Sequence, residues 1–130
     1  MAVMQSRDTR TMIAGEDLSA AQFKFVTLEA DGQIDLADAD GENCFGVLLN
    51  KPDAAGKAAT VVVSGKVMVV AASAITAGDE IAVDAAGEAQ ELTASSSATA
   101  VTVGYALEDA VDGQIFAMEL IQGGRLSDQS

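Results

Sequence analysis

The chain has 130 residues and a mass of 13.2 kDa, enough for one domain with a real core and too little for two. Seven Lys and Arg stand against twenty Asp and Glu, a net charge of −13, which repels phosphate backbones and anionic lipid and so argues against nucleic-acid or membrane partners. With 49% hydrophobic residues, 4% aromatics and no His, the chain is acidic without being of the disordered kind, and imidazole acid–base steps, His-bound metals and Ser-His or Cys-His pairs are all excluded.

Residues 1–17 are polar and aperiodic and carry Arg7 and Arg10, two of the three arginines. They are expected to form an extended arm outside the core, followed by a β-barrel over 18–122 and a frayed tail over 123–130. From residue 23 the pattern becomes short β-type runs punctuated by Gly, Asp, Asn and Ser. The alternating run 23–28 meets Asp31-Gly32, a hairpin signal, before a second run over 33–36. An acidic stretch with Asp38 and Asp40 leads to the apolar run 44–49, and Pro52 sits in the turn that ends it.

Two β-branched runs, 59–63 and 66–70, flank Ser64-Gly65 and predict a two-residue hairpin. Gly78, Gly87 and Asp112-Gly113 mark further turns between runs at 80–83, 89–92, 100–107 and 114–121, and the Ser/Ala/Thr-rich stretch 93–99 reads as a surface loop. A single helical turn at 73–76 or 107–110 is the one helical option. Eight or nine short strands at this spacing predict an all-β, single-domain barrel or sandwich. A faint echo links residues 45–49 (FGVLL) with 103–107 (VGYAL), and chance accounts for it as well as duplication does.

Chemistry-bearing motifs are sparse. Gly56-Lys57 and Gly65-Lys66 lack the flanking residues of a phosphate loop. The closely spaced oxygens of Asp38 and Asp40 could hold Ca²⁺, or form a solvated acidic turn. Cys44, alone, is either a small buried residue or an exposed thiol for an intermolecular bond. Tyr105 and Phe116 read as core. No catalytic residue, metal site or cofactor is assigned, and the chain is expected not to be an enzyme. No apolar run approaches the ~18 residues of a membrane span, and no signal-peptide layout opens the chain, so synthesis in a cytoplasm is expected.

Residues 61–87 (VVVSGKVMVVAASAITAGDEIAVDAAG), the stretch 103–113 (VGYALEDAVDG) and the closing run 115–120 (IFAMEL) together resemble the tailed-bacteriophage head decoration, or capsid cement, proteins. These belong to a family of small phage capsid proteins sometimes mislabelled as recombinases. The resemblance spans roughly residues 44–121. It implies a compact β-barrel or β-tulip, assembled as a homotrimer on the outer surface of the virion and bound to the major capsid protein, in a phage made in a host bacterial cytoplasm. A β-rich adhesion or fibre module binding a host surface ligand fits the same composition. The arm is the expected grip on a neighbouring protomer or capsid subunit, the alternative being a disordered terminus with no role. Arg7 and Arg10 would pair with carboxylates, and Val3, Met4, Met12 and Ile13 would dock in apolar grooves. Deleting residues 2–17 should then spare the barrel and weaken capsid binding about tenfold or more.

Overall fold

A computed structural model of the chain describes residues 7–92 and 101–121. These contain nine strands and no helix: β1 (Arg7–Ala14), β2 (Phe25–Leu28), β3 (Gln33–Leu36), β4 (Gly46–Leu48), β5 (Ala58–Val70), β6 (Glu80–Val83), β7 (Ala89–Glu91), β8 (Gly104–Ala106) and β9 (Ile115–Leu120). The all-β expectation holds. Strand order is β1-β3-β2-β4-β5-β9-β8-β6-β7, with β1 also paired to β5, so the first five strands are joined in a circuit of pairings. The single helical turns do not form. Ile75 and Ala110 instead make an isolated bridge, exchanging N–H···O bonds of 2.9 and 3.0 Å.

Two expectations are corrected. Residues 7–14 do not lie outside the sheet: β1 runs antiparallel along β5 from Arg7 opposite Gly65 to Ile13 opposite Ala58 and meets β3 in parallel at Ile13 and Ala14. Ala14 is fully buried. Thr9, Thr11 and Ile13 supply the β-branched alternation, which two polar threonines beside the charged Asp8 and Arg10 disguise. Nor do residues 59–63 and 66–70 form a hairpin; they are one continuous strand, β5. Gly65 has φ +102°, which suits a tight turn and equally a bend. Here β5 leaves its neighbours β1 and β4 and takes up β9, with Gly65 opposite both Arg7 and Leu120. The stretch 93–99 and the tail 123–130 lie outside the described residues.

The two ends of β5 belong to two halves with the same wiring. Hairpin β2–β3, then β4 on β2, then β5 on β4 is repeated as hairpin β6–β7, then β8 on β6, then β9 on β8. The far end of β5 runs along β9 as β1 runs along β5, and a parallel bridge from Ala71 to Ala89 stands where β1 meets β3.

Backbone hydrogen bonds recur at equivalent positions of the two halves. Gly32 N–H donates to Glu29 O and Gly87 N–H to Asp84 O; Ala14 N–H donates to Lys57 O and Ala71 N–H to Gln114 O; Phe23 N–H donates to Leu48 O and Gly78 N–H to Ala106 O. The last pair accounts for Phe23, whose φ of +65° is the one positive value outside glycine among the described residues. It occupies the turn position that Gly78, at +91°, fills in the second half. The echo between residues 45–49 and 103–107 is thus part of a repeat of the whole architecture.

Each half has its own core. Ala14, Leu18, Val26, Ile34, Leu48, Ala59, Val61 and Val63 fill the first. The second gathers Val67, Val69, Ile81, Val83, Val103, Phe116, Met118 and Leu120, and also takes in Phe25, Val47 and Val62 from the outer side of the first half. Both faces of β5 around residues 61–63 are therefore buried, which is why that run is apolar without alternation.

Candidate functional site

β1 carries the candidate contact residues. Arg10 is exposed, and its Nη1 lies 3.1 Å from Asp8 Oδ1 and 3.1 Å from the Thr9 carbonyl oxygen. The guanidinium has further N–H donors to offer a partner. Asp8 and Arg10 line a cleft of about 300 Å³ with Phe45, Val63 and Ser64. Met12, a position further into the half, packs against the first core. Ile13 points the other way and is 43% exposed. The strand therefore divides the expected contact residues between two faces. Arg7 enters β1 opposite Gly65, and Val3 and Met4 lie outside the described residues.

A second cleft, of about 550 Å³, is lined by Thr27, Leu28, Glu29, Asp38, Glu42, Asn43, Cys44 and Phe45. Its acidic turn is held by its own backbone: Glu42 Oε2 accepts from the Asp38 and Ala39 N–H groups at 2.9 Å each. Asp40 Oδ1 accepts from Gln90 Nε2 at 2.7 Å. Among the described residues no three His, Cys, Asp or Glu side chains are placed to hold a metal ion. Cys44 is buried, and that burial pushes its thiol up to about 12, so the exposed-thiol alternative is set aside.

Next to this turn Asp35 is half-buried, with Oδ1 lacking a hydrogen-bond partner and packed where a side chain on Gly15 would stand. Its pKa is raised, first by burial and then by the charges of Glu16, Glu29, Asp31 and Asp38. The folded state thus holds this proton more tightly than the unfolded chain does. Ionisation of Asp35 opposes folding at neutral pH, and the penalty fades as pH falls through the carboxylate range. Asp35→Asn should raise Tm at pH 7, by an amount equivalent to about 0.5–1 kcal/mol, and the gap to the parent chain should narrow at acid pH in parallel thermal melts. A gap that is absent at pH 7, or unchanged on acidification, contradicts this.

The outer side of the second half was not singled out by sequence reasoning. Glu80, Tyr105 and Glu119 stand side by side across β6, β8 and β9. Tyr105, expected in the core, is instead 44% exposed, whereas Phe116 is buried as expected. The signal was the alternation of β8, in which Gly104 and Ala106 face inward and Tyr105 outward. Leu107, Ile115 and Met68 extend this exposed surface, and Lys66 faces Glu119 across the β5–β9 pair. Among the described residues neither Glu80 nor Glu119 makes an ion pair. Glu80 Oε1 accepts from Thr102 Oγ1 at 2.9 Å.

The family model described as phage cement protein matches residues 4–119. No curated protein matches the chain. Among solved structures, the fold is similar to that of the N base of the head fiber protein gp8.5 of bacteriophage phi29, with a TM-score of 0.67 and 20% identity over 95% of this chain and 100% of that one.

Proposed function

Because the chain belongs to the phage cement protein family, we propose that it decorates the outer surface of an assembled phage head as a homotrimer and stabilises the shell without catalysing a reaction. The match over residues 4–119 carries this reading. The fold shared with a phage head fiber base supports a place on the phage head. The composition suits the role: a net charge of −13 keeps free trimers soluble until they meet a specific surface.

The mechanism is mass action. A ligand that binds the intact shell and not its separated subunits stabilises the shell by RT ln(1 + [L]/Kd) at each site, and the sum over many sites is large even when each contact is weak. Joining protomers adds avidity, because a second contact forms at high local concentration once the first is made.

The test is to heat heads lacking the protein with increasing amounts of purified chain and to follow disassembly by light scattering. The disassembly temperature should climb with the logarithm of added protein beyond Kd. A temperature that does not move at any concentration overturns the reading, and specific binding to host cells or glycans in its place would favour the adhesion module.

A further inference from the structure

The two halves share their pairing, yet their outer rows carry different residues. In the first half the row across β2, β4 and β5 is Phe25, Val47 and Val62, each at 0% exposure and gathered into one cluster with Val67, Val103 and Leu120 of the second half. The equivalent row across β6, β8 and β9 is Glu80, Tyr105 and Glu119, with Glu80 and Tyr105 exposed and Glu119 half-buried.

The residues that close on the first row also have counterparts. Where β5 has Val67 opposite Met118, β1 has Arg10 opposite Val61. Val103, whose N–H donates to Ile81 O, corresponds to Phe45, whose N–H donates to Val26 O. Leu120 corresponds to Val63 as the last inward residue of its strand. In the second half all three positions are buried; in the first, Val63 is buried and Phe45 packs against the first core, but Arg10 is exposed, and with Asp8 and Ser64 they line a cleft of about 300 Å³.

Each half thus has a mouth and an outer row. Inside the chain, the second mouth is seated on the first row. That leaves Arg10 exposed at the first mouth and Glu80 and Tyr105 exposed on the second row, and the two surfaces are complementary in charge. Where the internal contact gathers apolar Val67 into one cluster with Phe25 and Val62, the unused surfaces offer a cation, Arg10, and two carboxylates, Glu80 and Glu119, with Tyr105 between them.

We propose that the Arg10 cleft of one copy seats on the Glu80–Tyr105–Glu119 row of a second copy, repeating between chains the contact made between the two halves of one chain. The proposal rests on the self-association read above and says which surfaces make it. The Arg10 fork can bridge the two carboxylates, Tyr105 supplies the flat apolar and hydrogen-bonding centre, and Lys66 beside Glu119 lies at the rim, near Asp8 of the seated copy. Such a contact uses two different patches, so it runs head to tail and closes into a ring when the rotation allows.

The experiment is sedimentation equilibrium on the full chain, on Arg10→Glu, on Glu80→Arg/Glu119→Arg, and on the triple variant combining all three, with circular dichroism to confirm the sheet. Tyr105→Ala serves as an uncharged second probe of the row. Each charge reversal should raise the dissociation constant by about tenfold or more, Tyr105→Ala should do the same, and the triple variant, in which both patches are inverted, should associate again. Unchanged association in the reversed variants overturns these surfaces while leaving self-association intact. Folded variants that dissociate without rescue in the triple variant also overturn it. A parent chain that stays monomeric at high micromolar concentration removes the self-association reading itself.

Discussion

A chain lacking residues 7–14 should fail to fold, giving a disordered circular dichroism spectrum in place of a β signal. β1 closes the circuit of the first half by pairing with β5 on one side and β3 on the other. Without it, one side of β5 loses its ladder from Ala58 to Gly65, and the core around Val61, Ile34 and Leu48 opens to water. Burying side chains of this size contributes about 1.5–3 kcal/mol each, against a total stability on the order of 5–15 kcal/mol for a domain. Ala14→Asp should reproduce much of the loss in one residue, since it places a carboxylate at a fully buried position. A truncated chain that still melts cooperatively, within a few degrees of the parent, would show that β1 is an appendage.

Glycine to valine at Gly46 or Gly104 should cost about 3 kcal/mol or more each, or roughly 10 °C in Tm for a domain of this size. A Cβ on Gly46 would overlap the Val62 carbonyl oxygen, and one on Gly104 the Glu119 carbonyl oxygen. Backbone atoms of a paired strand cannot rotate aside, so β4 must leave β5, or β8 must leave β9. Gly32→Ala and Gly113→Ala are the controls. Each has φ near +80° but open space around it, so only the left-handed backbone penalty of about 1–2 kcal/mol applies. Melting curves in which all four variants lose equal stability would mean that close approach is not what these two positions require.

Gly46 and Gly104 also show how far the sequence could be read. They are one of the two letters, Leu49 and Leu107 being the other, shared in the echo between residues 45–49 and 103–107, and the glycines are shared for one physical reason, a carbonyl oxygen where a side chain would be. Elsewhere the repeat fixes backbone hydrogen bonds and leaves side chains free to diverge. Phe23 stands in for Gly78 and Phe25 for Glu80, and such pairs cannot be found by comparing letters. The hairpin at Asp31-Gly32 was legible because the turn and both flanking runs are local. The continuous β5 was not, since Gly65 serves a bend as readily as a turn, and only the distant partners β1, β4 and β9 decide between them.

Arg10 stood out as a scarce cation in an acidic chain. Its proposed counterpart did not. Glu80 and Glu119 are two acids among twenty, and only the pairing of β6, β8 and β9 brings them to either side of Tyr105. The role of Asp35 was hidden for a similar reason, because its burial depends on Gly15, far away in the chain.

Decoration of a phage head is tested by electron cryomicroscopy of expanded heads that lack this protein, mixed with the purified chain. Ordered additional density of about the size of three copies is expected on the outer capsid surface, at three-fold and quasi-three-fold positions, into which the nine-stranded fold fits. Heads that remain bare at saturating protein would contradict it.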